Sequence, residues 1–159
     1  MSVVIRDADL ARDKPSIQRF MAGLNLFESA FEPNRDLAPG VPERWLKDLL
    51  ARVRAKQGRM FVADDGGVLL GWAACHADQY DVYVREEDRA FGYVEELYVD
   101  EAARGRHIGR ALLKACEDHF RSLGLKSVLI GALNGNARAI AAYRAAGYSD
   151  YAVNLRKLL

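Results

Sequence analysis

The chain has 159 residues, of which 50% are hydrophobic and 28% are charged, and its formal net charge is +1. This length suits one folded domain, and the composition is typical of a globular protein. The near-neutral charge offers no basic field for nucleic acid, and no apolar run approaches the roughly 20 residues that a membrane-spanning helix needs.

The two cysteines, Cys75 and Cys116, each lie in an apolar run, which is typical of buried core positions. Neither belongs to a CxxC or Cys/His cluster, so the sequence predicts no metal site. The N-terminal stretch turns acidic and polar too early for a signal peptide. We therefore expect a soluble, cytoplasmic protein without a membrane or nucleic-acid partner.

The first half of the chain predicts a strand, two helices and a hairpin. Residues 2–6 are short and β-branched, which favours a strand, and apolar residues at helical spacing predict a helix over 14–27. Residues 32–40 have the composition of a loop. Pro42 then opens a second helix, because proline is tolerated in a first helical turn. The apolar stripe of this helix is Trp45, Leu46, Leu49, Leu50 and Val53.

The hairpin has strands at 59–63 and 68–77 around a tight DDGG turn at 64–67. Gly71, inside the second strand, marks a place for a bulge. Residues 78–90 are polar and charged and predict a connection.

The second half alternates strands and helices. Strands are predicted at 92–99, 127–132 and 148–155, and helices at 109–123 and 136–146. Gly124 suits the C-terminal cap of the first of these helices. This order predicts a mixed α/β domain, antiparallel at first and parallel around the crossover from residue 92 to residue 132.

Residues 95–113, EELYVDEAARGRHIGRALL, run from a strand end through a loop into a helix. Free N–H groups and the dipole at a helix start attract anions. Gly105 and Gly109 let the backbone approach a ligand. The loop lacks both the Walker pattern and GxGxxG, yet it predicts a phosphate or pyrophosphate site; the alternative is a basic surface connection. Its cations suit phosphate: Arg104, Arg106 and Arg110.

The same segment resembles the acetyl-CoA signature of the GNAT superfamily of N-acetyltransferases. Arg104 fits the first position of the signature and Gly109 the last, while His107 stands where the family usually has glycine. Histidine is among the non-glycine residues enriched in left-handed backbone, so the replacement suits a left-handed position. Downstream, NARAIAAYRAAGY is similar to a second family segment, and its matching positions are Asn136, Ala139, Tyr143, Gly147 and Tyr148.

The resemblance implies an α/β fold in which a mixed, mostly antiparallel sheet of six to seven strands packs with about four helices. Two strands are expected to splay at the acetyl-CoA site, and residues 1–159 are expected to form a single domain. The implied reaction moves an acetyl group from acetyl-CoA to a primary amine by direct attack in a ternary complex, without a metal. Because the family often forms dimers, we also expect a homodimer.

The resemblance further implies how acetyl-CoA is held. The pantetheine arm pairs with the backbone at Leu97 and Val99, as an added strand would. The pyrophosphate lies on the N–H groups of the loop and of the first helical turn, and Asn136 hydrogen-bonds the arm. The expected cofactor-binding residues are Leu97, Tyr98, Val99, Arg104, Gly105, Arg106, His107, Ile108, Gly109, Arg110, Ala111, Asn136 and Tyr143.

The chemistry needs a base, because an amine attacks only when neutral and an alkylamine with a pKa near 10 is mostly protonated at pH 7. We expect Glu95 in that role, directly or through water, with Glu96 as the alternative because a bulge would exchange their faces. Tyr143 is the expected acid for the leaving thiolate. Strict alternation puts one set of side chains on one face, Tyr93, Glu95 and Leu97, and another on the opposite face, Val94, Glu96 and Tyr98.

The acceptor is expected to contact Phe27, Glu28, Tyr80 and Tyr93. The acidic and aromatic character of these surroundings suits a cationic amine, such as a polyamine, an aminoglycoside or a lysine side chain. Two alternatives stay open. One is a catalytically inactive acyl-CoA-binding sensor, and the other is a domain that uses the Arg/Gly loop for ATP.

Overall fold

The computed structural model describes residues 3–159, so the start of the first predicted strand, Ser2, lies outside the described residues. The strands are β1 (Val4–Asp7), β2 (Arg59–Asp65), β3 (Val68–Gln79), β4 (Ala90–Val99) and β5 (Val128–Ile130). The helices are α1 (Leu10–Glu28), α2 (Val41–Ala55), α3 (Ile108–Ser122) and α4 (Ala137–Ala145), with short 3-10 turns at Glu86–Asp88 and Glu101–Ala103.

The five strands form one sheet in the order β1-β2-β3-β4-β5. The first four pair antiparallel, and β4 pairs with β5 in parallel. The predicted mixed, mostly antiparallel α/β fold is therefore confirmed, as are the four helices. The prediction of six to seven strands was too high, since residues 3–159 contain five.

Helices cover both faces of the sheet. On one face, α1 and α2 pack against fully buried side chains that include Trp72 and Val62. On the other face, α3 packs through Leu112 and Phe120. A Cβ on Gly92 would lie 2.3 Å from the Phe120 ring, so this glycine lets α3 approach β4 closely. Burying each such apolar side chain stabilises the fold by about 1.5–3 kcal/mol.

Helix α1 begins four residues earlier than predicted, at Leu10 rather than Lys14. Asp9 caps it by accepting a hydrogen bond from the Ala11 N–H at 3.0 Å. The buried Asp13 then pairs with Arg6 of β1 at 2.7 Å, which ties the first turn to the sheet. The prediction started the helix beside Pro15, whereas the helix accommodates this proline in its second turn.

The predicted DDGG hairpin turn is confirmed. Gly66 and Gly67 have φ values of 64° and 98°, the left-handed conformation that two-residue hairpin turns require. The irregularity predicted near Gly71 is also present. Ala63 pairs with Gly71 and Asp64 with Leu69, which leaves Leu70 as the extra residue of a bulge.

The closing strand predicted at 148–155 is wrong. This segment contains no strand, and Tyr151, Val153 and Leu155 are 69%, 82% and 93% exposed. These residues alternate with polar ones, as in a half-buried strand. A strand also needs a neighbouring strand to pair with, and the sequence pattern does not show whether one is present. None of the helices within residues 3–159 has both the length and the apolar character to cross a membrane.

Candidate functional site

A cavity of about 750 Å³ opens where β4 and β5 separate. The two strands pair only from Gly92 to Val94 on β4 and from Val128 to Ile130 on β5. Beyond Val94 no described strand pairs with the β5-facing edge of β4, so its backbone groups there lack a strand partner. The Val99 carbonyl accepts a hydrogen bond from the Arg104 Nε at 3.2 Å. Leu97, Tyr98 and Val99 line the cavity along this edge. The predicted splay is confirmed.

The loop between β4 and α3 closes one end of the cavity. Gly105 and His107 have φ values of 79° and 59°, so the left-handed backbone predicted for His107 is confirmed. Helix α3 starts at the next residue, Ile108, and its first N–H groups lack intrahelical partners. The turn and the helix start together form an anion site.

The loop arginines divide into two groups. Arg104 and Arg110 line the cavity. Arg106, which is also predicted to bind the cofactor, instead pairs with Asp65 of β2 at 3.2 Å and does not line the cavity. Ala111 also lies outside it, in an adjoining smaller depression. The other residues predicted to bind the cofactor all line the cavity.

Helix α4 contributes Asn136 and Tyr143 to the cavity wall. The Asn136 Oδ1 caps the helix by accepting a hydrogen bond from the Ala139 N–H at 3.1 Å, which leaves its amide N–H groups for a ligand. The Tyr143 hydroxyl takes part in none of the hydrogen bonds found among residues 3–159. Burial, reinforced by the nearby Glu28 and Glu96, raises the pKa of Tyr143 to about 12. Its phenol therefore stays protonated at neutral pH.

A bulge in β4 places two consecutive glutamates on the same face of the sheet. Ala74 pairs with Glu96 and Cys75 with Val94, so Glu95 is the extra residue. Strict alternation, which put the two glutamates on opposite faces, was therefore wrong. Both carboxylates lie on the side covered by α1 and α2, whereas Val94 and Leu97 pack on the α3 side.

Glu95 is held between two cationic groups. Its carboxylate pairs with Arg52 of α2 at 2.5 Å and contacts the His76 Nε2 at 2.9 Å. Burial opposes ionisation of Glu95, but His76 and Arg52 together lower its pKa below the ordinary value. A carboxylate so engaged binds a proton weakly and is poorly placed to act as a base.

Glu96 has the opposite surroundings. Its side chain is 6% exposed and forms none of the ion pairs found among residues 3–159. Burial, followed by the charges of Glu95 and Glu28, raises its pKa to about 8; the Trp45 indole partly offsets this. Glu96 therefore changes charge near neutral pH while it faces the cavity.

Three of the four residues predicted to contact the acceptor line the cavity. Phe27, Glu28 and Tyr93 line it. Tyr80 does not, because it packs on Phe91 with the ring centroids 4.3 Å apart. Arg35 also lines the cavity and was not predicted, because it lies in a loop without any motif. The cavity-lining role of Leu24 and Trp45 was not predicted either, because their apolar spacing indicated core positions.

His76 is a buried residue of β3 whose two ring nitrogens both have a polar neighbour. Its Nδ1 lies 2.9 Å from the Ala77 carbonyl and its Nε2 lies 2.9 Å from Glu95. A carbonyl and a carboxylate only accept hydrogen bonds, so both ring nitrogens donate and the ring is an imidazolium. The hydrogen bond to Glu95, against the effect of burial, raises the pKa of His76.

We expect His76→Gln to cost about 2 kcal/mol of unfolding free energy at pH 6, since a buried, charged hydrogen bond is lost. Because the folded pKa is raised above 6.5, the His76 contribution is complete below pH 6.5 and declines as pH rises through the folded value. The difference between wild type and variant should therefore shrink toward pH 9. Denaturant unfolding at several pH values measures it, and a difference independent of pH would contradict the imidazolium.

Residues 3–159 bring together no three His, Cys, Asp or Glu side chains in a geometry that could hold a metal ion. The arrangement can nevertheless bind an anion at the α3 start, hold an extended chain along β4 and exchange a proton at Glu96.

A sequence model of the acetyltransferase (GNAT) family matches residues 22–148 of the chain. This range contains the β4–α3 loop, both glutamates and Tyr143. The family was identified above from the loop and from the segment around α4, and the match extends the likeness back into α1.

Two curated relatives are similar to the chain. It is 34% identical over 92 residues to the IAA acetyltransferase of Azospirillum brasilense, which covers 58% of this chain and 55% of the relative. It is 35% identical over 97 residues to the mycothiol acetyltransferase of Geodermatophilus obscurus, which covers 60% of this chain and 30% of the relative. The chain thus spans about half the length of one relative and about a third of the other.

Solved structures share the fold. A tetramutant of the BH1408 protein from Bacillus halodurans superposes with a TM-score of 0.79 at 20% identity, covering 98% of this chain and 99% of that one. Glucosamine-6-phosphate N-acetyltransferase from Arabidopsis thaliana superposes with a TM-score of 0.70 at 14% identity, covering 99% of each chain.

Proposed function

The chain belongs to the acetyltransferase (GNAT) family, and from that premise we propose that it moves an acetyl group from acetyl-CoA to a primary amine. One observation carries the proposal. A single cavity joins an anion-binding helix start to a buried, unpaired carboxylate. The first end suits a pyrophosphate and the second suits an amine. The whole chain acts as one acetyltransferase domain in this proposal.

Acetyl-CoA fits the residues present at the first end. The backbone from Gly105 to the first turn of α3 offers N–H groups to the pyrophosphate, and Arg104 and Arg110 add positive charge. The free edge of β4 at Leu97 and Val99 can pair with the amide groups of the pantetheine arm. When bound, this cosubstrate supplies the acetyl group as a thioester.

We assign the base to Glu96 rather than to Glu95. Glu95 is neutralised by Arg52 and His76, whereas Glu96 faces the cavity without a basic partner among the described residues. Its pKa of about 8 lies near the working pH, where a general base is most effective. The Glu96 carboxylate takes a proton from the bound ammonium, and the neutral amine becomes the nucleophile.

We assign the acid to Tyr143, whose protonated phenol lines the same cavity. As the new C–N bond forms and the C–S bond breaks, the thiolate takes up the phenolic proton. The attacking nitrogen then loses its second proton to solvent, and a proton from solvent restores the phenol of Tyr143. Overall, an ammonium and a thioester yield an amide, a free thiol and one proton, which Glu96 releases to solvent.

The proposal predicts that purified chain binds coenzyme A with micromolar or tighter affinity and binds ATP at least tenfold more weakly. With acetyl-CoA and a panel of primary amines, free thiol should appear in proportion to acetylated amine. Calorimetry measures the first result, and thiol detection with mass spectrometry measures the second. Binding without thiol release for any amine would identify an inactive acyl-CoA sensor, and a preference for ATP would identify a nucleotide-binding domain.

A cytoplasmic location and a homodimer stay predictions. The C-terminal segment has exposed apolar side chains, among them Val153 and Leu155, and these support the prediction of a dimer interface there. Light scattering on the purified chain measures the mass directly.

A further inference from the structure

One end of the cavity, here called the acceptor end, is formed by α1, α2 and the part of β4 around the bulge at Glu95. Its walls are mainly apolar and aromatic, and the side chains that form them are Leu24, Phe27, Trp45 and Tyr93. Three carboxylates and one guanidinium accompany these walls, at Glu28, Glu95, Glu96 and Arg35.

Two of the three carboxylates are already neutralised within the protein. Arg35 pairs with Glu28 at 2.7 Å and also with Glu32 at 3.0 Å. Arg156 pairs with Glu32 at 3.8 Å, so two guanidinium groups offset these two carboxylates. Glu95 is held by Arg52 and His76, as described above. Glu96 alone of the three lacks a basic partner among residues 3–159. The acceptor end therefore has one carboxylate that is free to meet a cation.

The acidic residues of β3 and of the connection from β3 to β4 add no charge to the cavity. Asp78, for example, pairs with Lys56 at 2.7 Å, and Asp88 pairs with Arg85 at 2.8 Å. Neither carboxylate lines the cavity. Their charges are partnered at the surface, so they give a polycation no extended acidic track into the site.

We infer that the acceptor is a primary monoamine with an aromatic or comparable apolar body, whose single ammonium group meets Glu96 between Trp45, Phe27 and Tyr93. This inference rests on the proposed function. A second ammonium group would have to leave water without gaining a free carboxylate, which is costly. An apolar body instead gains about 25 cal/mol for each Å² that it buries, and aromatic faces also attract the ammonium.

A matched pair of amines isolates the second charge. Pentylamine and 1,5-diaminopentane have the same carbon chain and differ by one ammonium group. With full-length chain and saturating acetyl-CoA, kcat/KM for pentylamine should exceed that for the diamine at least tenfold, and 2-phenylethylamine should exceed both. Equal or higher values for the diamine, or for spermidine, would overturn the inference.

Binding separates this inference from the proposed function. Calorimetry of each amine with chain saturated with coenzyme A needs no turnover. If pentylamine and 2-phenylethylamine bind at least tenfold more tightly than the diamine but no thiol is released, the inference holds and the catalytic proposal fails. If the diamine binds as tightly or more tightly, the inference fails whatever the turnover.

A substitution at Arg35 should change the preference in a defined direction. Arg35→Gln leaves Glu28 without its basic partner, so the acceptor end gains a second free carboxylate. The ratio of diamine to pentylamine affinity should rise at least fivefold. Arg44→Gln is the matched control, because Arg44 is 71% exposed, pairs with Asp36 and lies outside the cavity. A ratio unchanged in Arg35→Gln, or raised equally in the control, would contradict the inference.

Discussion

Glu96→Gln should lower kcat at least 100-fold while the affinity for acetyl-CoA stays within about twofold. Positioned general bases contribute about 10²–10⁴-fold to rate, and glutamine keeps the size of the side chain but cannot take a proton. The substitution leaves the backbone of β4 unchanged, and the loop and α3 start that suit the pyrophosphate lie apart from residue 96. Steady-state kinetics and calorimetry measure the two quantities separately.

The pH dependence gives Glu96→Gln a second signature. In the wild type, the rate should rise with pH and level off above pH 8, since the carboxylate ionises with a pKa of about 8. The variant should lose this rise. An unchanged profile in the variant would remove Glu96 from the role of base.

The stability of Glu96→Gln should change in the opposite direction to its activity. A carboxyl group whose pKa is about 8 when folded and 4.5 when unfolded costs stability progressively as pH rises from 4.5 to 8. Glutamine does not ionise and avoids this cost. At pH 8 the variant should therefore be more stable than the wild type by roughly 1–4 kcal/mol, and the difference should vanish near pH 4.

Glu95→Gln is the matched control, because it makes the same chemical change one residue away. Here the protein loses the anion between Arg52 and His76, so the variant should be less stable than the wild type. Its rate should still rise with pH, because Glu96 is retained, but the rise should lie at lower pH than in the wild type, because the Glu95 charge that raises the pKa of Glu96 is lost. If Glu95→Gln abolishes the pH-dependent rise and Glu96→Gln does not, the assignment of the two glutamates is reversed.

The anion site at the start of α3 could be predicted because local sequence determines it. The left-handed backbone at His107 and the helix start at Ile108 each depend on a few neighbouring residues. The predicted splay of β4 from β5 followed from the family likeness. The fold class followed from hydrophobic periodicity, which failed where Tyr151, Val153 and Leu155 alternate without a strand to pair with.

The surroundings of the two glutamates could be anticipated only as alternatives. The bulge itself was foreseen as a possibility, but its result was not: both glutamates share a face and then differ through their partners. Arg52 comes from α2 and His76 from β3, and only the three-dimensional fold brings them to Glu95. Arg35 likewise reaches Glu28 from a loop. Such partners are distant in sequence and carry no motif, so sequence alone does not indicate which carboxylate is free.

Tyr143→Phe should lower kcat by about 10²-fold, at the low end for a general acid, and leave acetyl-CoA affinity within about twofold. The leaving group is an alkyl thiolate, and the comparable thiol of free cysteine has a pKa of roughly 8.5. The thiolate can therefore depart unprotonated at high pH but gains from a proton donor at neutral pH. The loss should therefore be largest below pH 8 and smaller at pH 9. Stability should change by less than about 0.5 kcal/mol, because the hydroxyl takes part in none of the hydrogen bonds found within residues 3–159.

Tyr148→Phe is the control, because it removes a tyrosine hydroxyl near α4 that does not face the cavity. The two tyrosine rings lie 6.3 Å apart, but Tyr148 does not line the cavity and donates its hydroxyl to Glu117 at 3.1 Å. Removing that hydroxyl should cost about 1 kcal/mol of stability and leave kcat unchanged. Equal kcat losses in both variants would mean that the α4 region as a whole, rather than a proton from Tyr143, supports turnover. A loss confined to Tyr143→Phe and diminishing at high pH is the result that a proton donor to the leaving thiolate requires.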